Sequence, residues 1–232
     1  MSNLLKAEFY KLTHSWYFWG IGLFNCFLSS VLLLDSKRET ANLFFASLYN
    51  TPLLYFLIIV FSALFVGNDF AQKTMYQYVS SGHKRGQIIF AKTVVYQIAC
   101  VIILLIPLIL HGLVGRYYLK ETFAAIDDIA VVMITIGFSI LAMCMLPLFF
   151  SFLFQDMGKS LTVPMLTFLI MIFLMNGRQA QYITKILPMG QLRLISLQEL
   201  SLDSVHFITI DLLWIFILYL GAYFIFCHSN LK

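Results

Sequence analysis

The chain has 232 residues, of which 61% are hydrophobic and only 11% charged, with a formal net charge of +4. A mean hydropathy of +0.88 together with 23 phenylalanines excludes an ordinary water-soluble surface, so the composition is that of an integral membrane protein. No nucleic-acid partner is expected from so sparse a charge.

A bilayer core about 30 Å thick needs roughly 20 helical residues per crossing. Six apolar runs of suitable length lie near 16–34, 50–67, 88–114, 129–154, 160–176 and 207–227. Backbone amides in hydrocarbon must be satisfied within their own segment, and the runs do not alternate, so helices are expected rather than barrel strands. The fold class read from this pattern is an all-α polytopic membrane protein, a single transmembrane domain over 1–232.

At the N-terminus, Leu5, Phe9, Leu12 and Trp16 recur at helical spacing while Lys6, Tyr10, Lys11 and Thr13 point elsewhere. This predicts an amphipathic helix over about 3–15, lying in the membrane interface before the first crossing. That crossing is too long for a signal-peptide core and lacks a small-residue cleavage site, so it is read as an uncleaved anchor. The 35–49 connection, with Phe44 and Phe45, is expected to fold back on the membrane surface.

The second run ends in a polar insert, 68–87, before the third begins. The third and fourth runs contain Pro107 and Pro147, and Pro164 lies early in the fifth, so bending is expected in all three. The 177–206 segment is too apolar for a solvated loop and predicts either short outer helices around Pro188 and Gly190 or a re-entrant hairpin. The four cysteines, Cys26, Cys100, Cys144 and Cys227, stand singly within apolar runs and read as small hydrophobes.

With both termini on the cytoplasmic side, eight Lys and Arg fall inside and seven outside, so the positive-inside rule barely decides. The acids are less even, with three inside and eight outside, Asp211 being counted among the latter. A net-positive inner face suits an anionic leaflet.

Two motifs tempt and fail. Gly67 to Thr74 nearly fits the phosphate-binding pattern G-x-x-x-x-G-K-[ST], but Gln72 stands where the second glycine must let backbone amides wrap a phosphate, and a membrane helix precedes it instead of a strand. Gly137-Phe138-Ser139-Ile140 begins like an intramembrane serine-protease motif without its closing glycine, and His111 near the end of its run reads as an interface residue. No catalytic residue, metal site or bound cofactor is expected of this chain. The span interiors hold almost no ionisable groups of the kind that ion-coupled transporters keep there, and Asn25 and Gln97 read as helix-packing groups.

The insert runs Asn68-Asp69-Phe70, Lys73-Thr74-Met75, Tyr78, then Gly82-His83-Lys84-Arg85, and a lysine, Lys92, opens the next span. This order resembles the loop between the second and third membrane helices of type-2 ATP-binding-cassette permeases. Lys6-Ala7-Glu8-Phe9-Tyr10-Lys11-Leu12 is similar to the opening of the small bacterial permeases that export lantibiotics and related antimicrobial peptides. One departure is Lys73, where many members have glycine.

The resemblance implies that Asn68 to Arg85 form a cytoplasmic coupling loop, with Phe70, Met75 and Tyr78 as an aromatic and apolar anchor and a basic rim at His83 to Arg85. Lys92 is read separately, as an anchor to lipid phosphates. The implied partners are two cytoplasmic ATPase subunits carrying ATP and Mg, a second permease copy or a sibling, the bilayer, and a peptide or other amphipathic cargo. Activity would then be ATP-driven export at a bacterial cell membrane. An ATPase-independent channel or a membrane scaffold or sensor are the rival readings.

Overall fold

A computed structural model describes residues 2–36, 40, 42–120, 129–177, 180–198 and 204–229. The described residues form α1 (Ser2–Thr13), α2 (Trp16–Ser36), α3 (Leu43–Ser62), a π-helical segment (Ala63–Gly67), α4 (Asn68–Ala71), α5 (Thr74–Ser80), α6 (Arg85–Tyr118), α7 (Ile129–Phe154), α8 (Met157–Met175), α9 (Ala180–Ile186), α10 (Pro188–Ser196) and α11 (Ser204–His228). No strand occurs among them. Six helical stretches are long and apolar enough to cross a membrane, and the chain is an all-α polytopic membrane protein.

The centre of the bundle is α3, which packs against α2, α6, α7, α8 and α10. Its apolar residues are distributed all round, as a helix enclosed by protein requires. By contrast α2, α8 and α11 turn Phe27, Phe173 and Phe216 outward, where hydrocarbon or another apolar surface must cover them. The central helix begins at Leu43 instead of near 50. Phe44 and Phe45, expected in a surface connection, are buried in its first turn with their rings edge to face at 5.5 Å.

Two prolines within the spans, Pro107 and Pro147, set polar links between helices. A proline removes the N–H that would bond the carbonyl four residues earlier, and in a membrane interior that carbonyl needs another donor. Pro107 frees the Ile103 carbonyl, to which Asn25 Nδ2 donates at 2.7 Å, joining α2 to α6. Pro147 frees the Met143 carbonyl, which accepts from the Tyr55 hydroxyl at 3.0 Å, joining α3 to α7. His111 is likewise an internal bridge and not an interface residue: its ring nitrogens lie 3.0 Å from Ser30 Oγ and 3.0 Å from Ser47 Oγ, tying α6 to α2 and α3.

Where it is described, the 177–206 region forms the short helices expected of it, with Tyr182, Lys185 and Ile186 of α9 exposed and α10 turned inward. After α9 the chain reverses, and α10 inserts against α3 and α7 with Pro188 to Leu192 buried. Gly190 permits the reversal, because a Cβ there would stand 2.4 Å from the Thr184 backbone. Trp214 Nε1 of α11 donates to the Ile186 carbonyl at 3.0 Å and closes the hairpin from the side. Asp211, which the hydropathy pattern groups with the outer loops, sits two turns into α11 and is fully buried.

Replacing Asn25 by Leu or Tyr55 by Phe leaves a proline-freed carbonyl without its donor. Each change is expected to cost about 1–3 kcal/mol, seen as a lower unfolding temperature of the detergent-purified protein.

Candidate functional site

The loop between α3 and α6 is built from the end of a span whose hydrogen bonding widens. Asn68 N–H reaches back five residues to the Ala63 carbonyl, the π-helical pattern. Such segments recur at functional sites because they re-aim the side chains beyond them. In this chain the re-aimed side chain is Asp69, directed into the protein and fully buried.

Asp69 belongs to a buried ion-pair network. Lys92, on the second turn of α6, is 0% exposed and pairs with both Asp69 and Glu8 of α1, the latter at 2.5 Å. Lys11 of α1 pairs with Asp69 from the other side. The Phe65 ring lies under this group, 4.5 Å from Lys92 Nζ. Two acids and two bases thus neutralise one another while joining three elements that are remote in sequence. An unpaired charge in such a place would be prohibitive. Lys92 therefore does not anchor the helix to lipid phosphates.

The same network reorders the N-terminal helix. Leu4, Glu8 and Leu12 face inward, Leu5 and Phe9 pack at the edge of that face, and Trp16 is 91% exposed and already belongs to α2. The expected stripe of Leu5, Phe9, Leu12 and Trp16 is therefore not one face: the chain breaks at His14–Ser15, and the buried stripe is centred on a carboxylate.

Beyond Asp69 the loop turns twice. Lys73 adopts a left-handed conformation (φ 57°, ψ 20°) between α4 and α5, a geometry favoured by glycine and disfavoured by a Cβ. The glycine that the resemblance leads one to expect at this position would fit it. Gly82, at φ 87°, ends the short helix and redirects the chain into α6.

Of the residues expected to meet a partner, three are turned inward instead: Asp69, held in the ion-pair network, Phe70 and Met75. Phe70 is 4% exposed and packs edge to face against Phe152 and Phe226, and Met75 is fully buried. Phe70 holds the loop down on α7 and α11. Arg85 is also engaged internally: its guanidinium donates to the carbonyls of Phe226, Cys227 and Ser229 at 3.2, 2.9 and 2.7 Å, capping the end of α11 with the charge that a helix C-terminus favours.

Lys73, Gly82 and Lys84 are exposed, with Asn68, Thr74, Tyr78 and His83 half-buried around them. Burial, and then the nearby carboxylates of Glu8 and Asp69, push the Tyr78 phenol above its ordinary value. Tyr78 therefore stays neutral and marks the seam between α5 and the ion-pair network.

Among the described residues, no three His, Cys, Asp or Glu side chains converge as a metal site would require. The chain matches no protein-family profile and no curated protein. What the fold and this site define is a polytopic membrane protein with a structured, internally fastened loop between its second and third spans.

Two measurements check this geometry. Lys92→Met strands the buried Glu8 carboxylate and leaves Asp69 with Lys11 alone, and should destabilise the protein by about 3–5 kcal/mol, whereas Lys84→Met, on the exposed turn, should change stability by less than about 0.5 kcal/mol. Lys73→Gly relieves the left-handed strain and should stabilise by about 0.5–1 kcal/mol, while Lys73→Val should destabilise by at least as much.

Proposed function

We propose that the chain is the membrane-spanning permease subunit of an ATP-driven exporter. It works at a cell membrane with both termini in the cytoplasm, as a dimer with itself or a sibling. The loop from Asn68 to Lys84 is the handle on which a cytoplasmic ATP-binding-cassette ATPase docks, and ATP and Mg belong to that partner. The cargo is a hydrophobic or amphipathic peptide, in keeping with a Phe- and Met-rich chain whose charges are few.

The observation that carries this reading is the fastening of the loop. Its underside is fixed by Phe70 and Met75, its entry by Asp69 and its exit by Arg85, while Lys73, Gln77 and Lys84 remain outward. A push on the outer side of α5 is not absorbed by a soft loop. It passes through Asp69 and Lys92 to the 34-residue α6 and through Lys11 and Glu8 to α1. Such rigid transmission is what a nucleotide-driven partner would need from its permease.

The resemblance of the loop and of Lys6–Leu12 to the small peptide-exporting permeases supplies the cargo class and the direction. The docking surface is narrower than the sequence implies. Phe70, Met75 and Arg85 form its support, and the contact surface is the exposed rim of α5 with the turn at Gly82 to Lys84.

The test is to co-express the chain with ATP-binding-cassette ATPases of its own organism, reconstitute the complex, and measure assembly, ATP hydrolysis and peptide export. Lys73→Glu combined with Lys84→Glu should weaken assembly by about tenfold or more, roughly 1.4 kcal/mol, and abolish export without lowering the unfolding temperature. Unimpaired assembly and export in that variant would overturn the docking surface. Transport that proceeds without nucleotide would overturn the exporter reading as a whole.

A further inference from the structure

At the end of the bundle away from the loop, three polar side chains from three helices meet in an otherwise apolar interior. Ser139 Oγ of α7 lies 2.7 Å from Asp211 Oδ2 of α11 and 3.2 Å from Gln191 Oε1 of α10. All three residues are fully buried. The orientation of the Gln191 amide is set by its other end, because Nε2 donates to the Lys185 carbonyl at 3.1 Å. The oxygen is therefore the atom that faces Ser139.

Counting hydrogens decides the state of this group. Two contacts join three oxygens, and each contact needs one hydrogen. A serine hydroxyl has one hydrogen to give, the Gln191 oxygen has none, and an ionised carboxylate has none. With Asp211 ionised, one contact would be two acceptors facing each other. With a proton on Oδ2 both are made: Asp211 donates to Ser139 Oγ, and Ser139 donates to Gln191 Oε1.

The remaining oxygen points the same way. Asp211 Oδ1 is buried and has no hydrogen-bond partner among the described residues. For a neutral acid this is one unsatisfied carbonyl. For a carboxylate it would be a bare buried charge, which is far more costly.

No cation among the described residues of the surrounding elements compensates it. Of the elements packed on α11, α7 carries Cys144 as its one titratable side chain, and α9 carries Tyr182 and Lys185, both exposed to the outside. On α10, Arg193 is turned away to Asn176 Oδ1 and the Tyr49 ring. The α6 helix meets α11 at the opposite end, through Arg85 and Gly86. On α11 itself, His206 is exposed and Tyr219 lies two turns further along. No ion pair to Asp211 forms among the described residues.

We propose that Asp211 is a proton-binding site that fastens the inserted hairpin: its proton completes the chain from α11 through Ser139 of α7 to Gln191 of α10. When the proton leaves to water, Asp211 becomes a carboxylate and the Ser139 hydroxyl turns from Gln191 Oε1 to Asp211 Oδ2. Gln191 then loses its hydrogen bond to α7, and the contact between hairpin and bundle opens. The ligand is a proton, and the element it controls is α9–α10.

The experiment is infrared difference spectroscopy of the full chain in lipid nanodiscs at neutral pH, native against Asp211→Asn. The expected result is a protonated-carboxyl stretching band in the native protein that is wholly absent from the variant, and that bleaches in the native protein as the pH is raised. A native spectrum without such a band, or a band that survives in Asp211→Asn, overturns the proposal.

If Asp211→Asn does not fold, Ser139→Ala serves in its place, with aspartate labelled at its side-chain carboxyl carbon. Loss of the acceptor for the acid hydrogen should move the labelled band to higher frequency. An unmoved band, or no labelled band in the protonated-acid region, likewise overturns it.

Discussion

The arrangement of this molecule turns on one buried ammonium group. Lys92 has no access to water, and nothing apolar can replace what it needs: an opposite charge and hydrogen-bond acceptors close at hand. Glu8 and Asp69 supply both, so α1, the end of the second span and the start of the third must arrive together for any of them to be buried. The network is neutral only as a whole, because Lys11 balances the second carboxylate. Its strength is thus conditional, and it specifies position more than it adds stability. The loop in the proposed reading owes its stiffness to this condition.

The other polar contacts of the interior obey the same necessity at lower cost. Hydrocarbon offers no water to a carbonyl left open by proline, and Asn25 and Tyr55 reach across from neighbouring helices to fill the gaps that Pro107 and Pro147 leave at Ile103 and Met143. His111 joins three helices through its two ring nitrogens. These links, with the Ser29–Ser47 and Ser62–Ser151 hydroxyl contacts, lie between helices that are otherwise packed mainly through apolar side chains, and so they fix rotation and register where packing alone leaves latitude.

The same physics decides how much of the molecule is legible in its sequence. Six spans and an all-helical fold can be read because hydrophobic length is a one-dimensional quantity. The partners of Lys92 cannot, since an ion pair between residues 84 positions apart leaves no periodic trace. Glu8 falls at helical spacing from Leu4 and Leu12, and a single acid on an otherwise apolar stripe is the signal that reveals it. Reading Phe70 and Met75 as exposed anchors fails because an apolar residue in a polar loop has two uses, to be offered outward or to hold the loop down. Asp211 is misplaced by hydropathy windows, which put it close to a span's end, whereas the helix begins earlier, at Ser204.

The two buried polar groups differ in a way that suits them to different tasks. At the loop end, acids and bases are matched in number, each carboxylate meets a cation, and no proton is wanting; rearranging it means separating charges. At the hairpin end, Asp211, Ser139 and Gln191 are one hydrogen short unless a proton is bound, so the arrangement can be undone by a single proton leaving, with no charge pair to break. A membrane protein that must move has to concentrate its compliance somewhere, because packed interiors are bistable rather than continuously deformable. In the proposed function the loop end is the part that transmits force without yielding. The inserted hairpin, whose polar links to α7 and α11 are the proton-dependent hydrogen bond at Gln191 and the Trp214 bond to the Ile186 carbonyl, is the end that a single proton can loosen.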